Sequence, residues 1–249
     1  MKLTVNVWRQ NGPAEKGAFE KHEVHDLEPS LSVLEMLDKM NNDIVKGGGE
    51  PITFESDCRE GICGACGIEV DGRPHGPVSN TPACHQRLSS FQDGDTVTIE
   101  PLTSGAYPVI KDLMVERGSL TDVLESGGHV QVAAGTAPQA DSDRITYDTA
   151  ETALDFAACI GCGACVAACP NDSANLYVGA KLAHLAMLPI PSSERGKRAK
   201  AMVETADENF GPCSLHGECA KVCPANIPLV AISYANRERM RAGLRGSND

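Results

Sequence analysis

Aromatic residues make up only 4% of the chain, and positive charge is outweighed to a formal net charge of -12. A stacking platform for single strands needs aromatics and a phosphate-tracking groove needs cations, so nucleic acid is excluded and proteins or small molecules remain as partners. No run of about 18 uncharged apolar residues occurs, and Met1-Lys2-Leu3-Thr4-Val5 leads into an alternating pattern without the apolar core of an export signal. A soluble, cytosolic chain is expected. The G-x-G-x-x-G fingerprint of a dinucleotide site is also missing. The triple glycine after Lys46 lacks the Lys-Ser/Thr pair of a phosphate loop and reads as a helix stop. Disulfides fit poorly, because the cysteines number eleven and no export signal accompanies them. They read as metal ligands in a reducing compartment.

Their spacing says which metal chemistry. Cys159, Cys162, Cys165 and Cys169, followed by Pro170, fit C-x2-C-x2-C-x3-C-P, the bacterial ferredoxin run in which the fourth thiolate serves a second cluster. A partner run supplies Cys213, Cys219 and Cys223 before Pro224, and superposing it on the first puts His216 where its second cysteine belongs. Cys159, Cys162, Cys165 and Cys223 are thus assigned to [4Fe-4S]. Cys169, Cys213 and Cys219 are left with three thiolates, which suits [3Fe-4S]. His216 as a fourth ligand is the alternative to a plain loop histidine, since imidazole replaces cysteine in some clusters. Zinc also accepts C-x2-C pairs, but the full run and its closing proline do not follow from tetrahedral coordination.

Earlier, Cys58-x4-Cys63-x2-Cys66 with Cys84 has the plant-type [2Fe-2S] spacing. Gly61, Gly64 and Gly67 let that loop turn its amides inward onto the sulfurs. Arg59 and Glu60 read as a solvated pair, and His85 as a surface or packing residue. Four, four and three thiolates account for all eleven cysteines. A chain with three clusters and no thiol to spare is a wire for single electrons.

The fold class expected is α+β. Leu3, Val5 and Val7 alternate with polar residues as in a half-buried strand, and residues 17–27 supply a hairpin partner. Ser32-Val33-Leu34-Glu35 is a capping box opening a helix with Leu37 and Met40 on its apolar stripe. Residues 67–70 and 96–102 are further strands, with a turn at Asp71-Gly72. Trp8 reads as a packing residue. Pro108, with Val109, Ile110, Leu113 and Met114 at helical spacing, suggests a short amphipathic helix. Residues 127–143 read as a surface loop rich in small residues and proline. Helices are expected over 150–158, over 181–188 until Pro189 and Pro191, and from Pro228 through Arg239. Basic residues at 195–198 and at Arg237, Arg239, Arg241 and Arg245 read as solvated faces, with an anionic membrane surface as the alternative for one patch. Two domains are expected, at 1–105 and 106–249.

The combination of C-x4-C-x2-C, C-x2-C-x2-C-x3-C-P and C-x5-C-x3-C-P, with Cys58-Arg59-Glu60-Gly61-Ile62-Cys63-Gly64 and Pro108-Val109-Ile110-Lys111-Asp112-Leu113, resembles the iron-sulfur subunit of succinate dehydrogenase and fumarate reductase. The resemblance implies a β-grasp plant-type ferredoxin domain followed by an all-α bacterial-type ferredoxin domain. It implies electron flow from covalently bound FAD in a flavoprotein subunit through the three clusters to quinone at a membrane anchor. Dicarboxylate chemistry would lie in another subunit, and this chain would sit on the cytoplasmic face of the cell membrane through its partners. Many ubiquinone-linked members carry tryptophan shortly after the cysteine matching Cys169, and histidine after the one matching Cys213. Here Pro170-Asn171-Asp172-Ser173-Ala174 and Ser214 stand instead, which points to menaquinone and a haem-bearing anchor. Three alternatives stay open: fumarate reduction in the reverse direction, a freestanding carrier, and the iron-sulfur subunit of another flavin-linked dehydrogenase or heterodisulfide reductase-like complex.

Overall fold

The computed structural model describes residues 1–129, 144–188 and 190–245. Most of the loop expected at 127–143, and Pro189 with its expected helix stop, lie outside the described residues. The chain divides into two units. The first comprises Met1–Arg117, Ile160–Ala168 and Lys221–Pro224; the second comprises Gly118–Cys159, Cys169–Ala220 and Ala225–Asp249.

The first unit is built on a five-stranded sheet of β1 (Leu3–Arg9), β2 (Ala18–Val24), β3 (Ile68–Val70), β4 (Arg73–Pro74) and β5 (Thr96–Pro101), in the order β2-β1-β5-β3-β4. β1 runs antiparallel to β2 and parallel to β5, so the sheet is mixed. Leu3, Val5 and Val7 are fully buried, as their alternation requires. They share a core with Val33, Leu34, Met36 and Leu37 of helix α1 (Val33–Lys46), each such side chain contributing about 1.5–3 kcal/mol on burial. Glu35 N donates to Ser32 Oγ at 3.2 Å and Ser32 N donates to a Glu35 carboxylate oxygen at 2.6 Å, completing the capping box. Asp71 and Gly72 both take positive φ, giving the tight β3–β4 turn. Trp8 packs edge-on against Phe19 with centroids 5.1 Å apart.

The helix expected after Pro108 is not formed. Val109–Lys111 (β6) and Met114–Val115 (β7) make an antiparallel hairpin instead. Asp112, buried and in the left-handed region, explains the difference. Its carboxylate accepts from Gln10 N at 3.1 Å and Thr53 N at 2.9 Å, and its own N–H donates to Gln10 O at 2.7 Å. These long-range bonds fix a turn that local apolar spacing cannot announce.

Helices make up the regular structure described in the second unit, as expected. After α2 (Gly118–Val123) come α3 (Tyr147–Ala157), α5 (Asn175–Met187), α6 (Ser192–Asn209) and α8 (Ala231–Arg245), while the one-turn α7 (Glu218–Lys221) follows a cysteine loop, as does α4 (Ala164–Ala167) of the first unit. α5 packs on α3, α6 and α8. Gly179 permits the close approach of α5 to the start of α8, since a Cβ there would lie 2.5 Å from Ala231 O. Pro228 sits in the turn before α8, its carbonyl accepting from Ala231 N.

The solvated face expected at 195–198 is corrected by α6. Arg198 is 5% exposed, pairs with Glu194 at 2.9 Å and donates to the carbonyls of Gly127 and His129. Arg195 reaches buried Glu238 at 3.0 Å, and Arg241 meets the same carboxylate. Among the described residues, no helix is long and apolar enough to cross a membrane.

Candidate iron-sulfur sites

Cys58, Cys63, Cys66 and Cys84 line one concavity of about 230 Å³ in the first unit. Cys66 stands two residues before β3, and Cys84 lies in a one-turn helix at Ala83–His85. That turn is held from both sides. Val33 N donates to Gln86 O at 2.9 Å, and Ala83 N donates to His75 Nδ1 at 3.2 Å. The Gln86 side chain, fully buried, bonds Val78 and Thr81 and closes the loop between His75 and Cys84.

The plant-type loop turns its amides onto sulfur. Glu60 N donates to Cys58 Sγ at 3.3 Å and Ala65 N donates to Cys63 Sγ at 3.4 Å. Amide donation from Glu60 and Ile62, with Cys63 Sγ also in contact, brings the Cys58 thiol down to about 7. Cys66 is pushed up to about 12, chiefly by burial, with the neighbouring Cys84 and Cys63 adding to the rise. These contacts link Cys58 to Cys63, and Cys66 to both Cys63 and Cys84, along the one concavity. Arg59 is not simply solvated, because its guanidinium forks onto Asp38 of α1 and reaches Ser56 Oγ at 3.0 Å. His85 is exposed.

Behind this loop lies a contact that the sequence does not signal. Gly64 (φ +75°) lets the loop touch the backbone of the ferredoxin run, since a Cβ there would lie 2.3 Å from Ile160 O. Arg117 spans the two segments. Its Nη1 donates to Gly64 O at 3.0 Å and to Cys162 O at 2.8 Å, while Nη2 donates to Ala65 O at 3.0 Å and pairs with Glu55. No motif surrounds Arg117, and its partners lie 45–62 positions away.

Of the four thiols assigned to [4Fe-4S], Cys162, Cys165 and Cys223 fall in the first unit and Cys159 in the second. Cys162 and Cys223 are buried. Gly161 and Gly163 take positive φ, and Gly163 caps α4. Tyr107 donates its hydroxyl to Gly163 O at 3.4 Å. Cys159 O accepts from Lys181 Nζ at 3.2 Å.

Cys169, Cys213 and Cys219 line a concavity of about 320 Å³ in the second unit, together with Pro170, Leu215 and His216. Burial raises Cys219, and the nearby Cys169 and Cys213 sulfurs add to it, so Cys219 neighbours both. His216 is exposed on the same rim. A second concavity of about 670 Å³ shares Cys213 and holds the Asp207–Arg239 pair, 2.9 Å apart. Among the described residues, no three or more His, Cys, Asp and Glu side chains form a shell for a single metal ion. The donor chemistry fits iron-sulfur clusters: two sets of neighbouring thiols, the first of them with amides turned onto sulfur.

Residues 4–122 match the family model of a 2Fe-2S iron-sulfur cluster binding domain, and residues 155–227 that of a 4Fe-4S dicluster domain. The chain is therefore a ferredoxin-type iron-sulfur protein of the α+β class. Its sequence is 29% identical to the fumarate reductase iron-sulfur subunit of Wolinella succinogenes, over 95% of this chain and 96% of that one. It is 25% identical to the succinate dehydrogenase iron-sulfur subunit of Bacillus subtilis, over 84% and 82%. The chain is a homologue of the iron-sulfur subunits of fumarate reductase and succinate dehydrogenase. A chain of the Mycobacterium smegmatis Sdh1 complex in the apo form shares the fold, with a TM-score of 0.68, 21% identity and coverage of 100% and 98%.

Proposed function

We propose that this chain is the electron-transfer subunit of a succinate dehydrogenase, passing electrons from FAD in a flavoprotein subunit to quinone at a membrane anchor on the cytoplasmic face. The quinone proposed is menaquinone and the anchor haem-bearing. Cys58, Cys63, Cys66 and Cys84 would hold [2Fe-2S]. Cys159, Cys162, Cys165 and Cys223 would hold [4Fe-4S], an assignment that rests on their spacing. Cys169, Cys213 and Cys219 would hold [3Fe-4S], with His216 outside the ligand set. Bound clusters supply the one-electron storage that side chains lack. What the chain does is grip and tune. Amides at Glu60 and Ala65 stabilise anionic sulfur, and burial of Cys66 and Cys84 keeps water from it.

The observation that carries this reading is the grouping of four neighbouring thiols at one concavity and three at another, in a homologue of such subunits. A dicluster domain with eight cysteines would fill two cubanes; residues 155–227 contain seven. The test is anaerobic isolation of the native assembly. It should contain a flavoprotein, reduce dye with succinate, and carry about nine irons per chain, with a three-iron EPR signal in the oxidised state. Far fewer irons, or a lone brown protein without flavin, would overturn the reading. Relatives named for fumarate reductase favour the reverse direction as a second reading, decided by comparing succinate oxidation with quinol-driven fumarate reduction.

A further inference from the structure

We propose that Arg117 is a positioning residue for electron transfer between the first two centres, clamping the plant-type loop onto the first C-x2-C turn. The inference rests on the reading above and deepens it. The Arg117 side chain is 13% exposed, and its hydrogen bonds to protein end on three carbonyls and one carboxylate. Two of those carbonyls, Gly64 O and Ala65 O, belong to the loop between Cys63 and Cys66, and the third belongs to Cys162 itself. The planar fork suits this task, since its five N–H groups in fixed geometry reach four separate acceptors, more than the three freely rotating donors of an ammonium can hold in place. Gly64 removes the side chain that would keep the two backbones apart, and a Cβ on Gly67 would lie 3.1 Å from Arg117 Nη1. The two segments are therefore fitted around the guanidinium.

Two functions separate here. The fork fixes how one ligand loop lies against the other, and therefore the path along which one electron leaves the first centre and enters the second, with no bond or proton exchanged. The positive charge balances Glu55 and favours the reduced, more negative form of the nearby centre. Losing the charge leaves Glu55 alone beside the loop.

The experiment uses the intact complex with Arg117→Ala and Arg117→Lys, reduced by succinate and followed by freeze-quench EPR and by redox titration. In Arg117→Ala the [2Fe-2S] signal should still rise promptly while reduction of the three-iron centre lags by roughly 10- to 100-fold, the usual effect of removing an outer-shell partner of a metal ligand. Its [2Fe-2S] midpoint should also fall. Arg117→Lys should keep the midpoint and still lag, because charge is retained and the fork is lost. If Arg117→Ala does not assemble, Arg117→Lys decides alone: a lag supports the clamp, and transfer at the native rate overturns it. Native transfer in both variants with iron content intact also overturns it. Failure of the underlying reading looks different, since the unmutated complex would then lack the iron and the signals themselves.

Discussion

Asn171 donates from Nδ2 to Ser214 Oγ at 2.7 Å and to the Pro212 carbonyl at 3.0 Å, tying the turn after Cys169 to the loop that carries Cys213. Both residues stand in the stretches where the sequence departs from the ubiquinone-linked pattern, with Ser214 in place of histidine. The hydroxyl of Ser214 is thus engaged in holding two cysteine loops together.

Asn171→Ala should therefore loosen the three-cysteine site and leave the plant-type site alone. Two exposed hydrogen bonds are lost, each contributing at most about 0.5–1.5 kcal/mol. The expected result is faster loss of the three-iron EPR signal on warming, with the [2Fe-2S] signal lost at the native rate. Equal loss of both signals would mean that the tie is not local.

Gly64→Ala should empty the first site. A Cβ would meet Ile160 O at 2.3 Å, and φ of +75° adds about 1–2 kcal/mol of left-handed strain. Relief requires moving the loop off the segment at 160–162, and with it Cys63 and Cys66. Iron should fall by about two per chain, from the ordinary nuclearity of a plant-type cluster. Iron content unchanged in a folded variant would contradict the close approach.

What was legible in the sequence is what depends on near neighbours along the chain. Val5 and Val7 announce β1 by alternation, Ser32 and Glu35 announce α1, and the cysteine spacings announce the ligand loops. Asp112 shows why Pro108 to Met114 reads as a helix and folds as a hairpin, since its partners Gln10 and Thr53 lie 102 and 59 positions away. α6 was missed because its buried face is made of Ala199, Met202 and Ala206, too small and sparse for a clear stripe among charged neighbours. At the site, Arg117, His75 and Gln86 escape for the same reason as Asp112. They act on backbone groups, which carry no sequence signature.

His75 gives the first unit a dependence on pH. It is 1% exposed, and burial, helped by the positive charge of Arg117, brings it down to about 4 from 6.5. Between those values the unfolded chain takes up a proton that the folded one refuses, so stability falls as pH drops through that window and is unaffected above it. The loss reaches about 3 kcal/mol at the acid end, at about 1.4 kcal/mol per pH unit. Thermal midpoints followed by the fluorescence of Trp8, the single tryptophan, should fall on acidification below 6.5. His75→Asn, which retains an acceptor for Ala83 N, should fall less. Parallel curves for the two proteins would remove His75 as the cause.

His216 decides the nuclearity of the last centre. It stands three positions after Cys213 and three before Cys219, the place of the second cysteine in a C-x2-C-x2-C run, and it lines the concavity that holds Cys169, Cys213 and Cys219. A three-iron centre differs from a cubane by one iron and the ligand that would hold it. His216→Cys restores that ligand at the register where the first run has one. The oxidised protein should then lose its three-iron EPR signal, gain a cubane signal on reduction, and rise from about nine to about ten irons per chain. His216→Ala supplies the control, because an exposed histidine outside the ligand set can be removed without cost to the cluster. Its three-iron signal should match the native one in shape and intensity. A native protein without the three-iron signal, whose cubane signal on reduction is lost in His216→Ala, would instead make the imidazole a ligand, and the centre a cubane held by three cysteine sulfurs and one nitrogen.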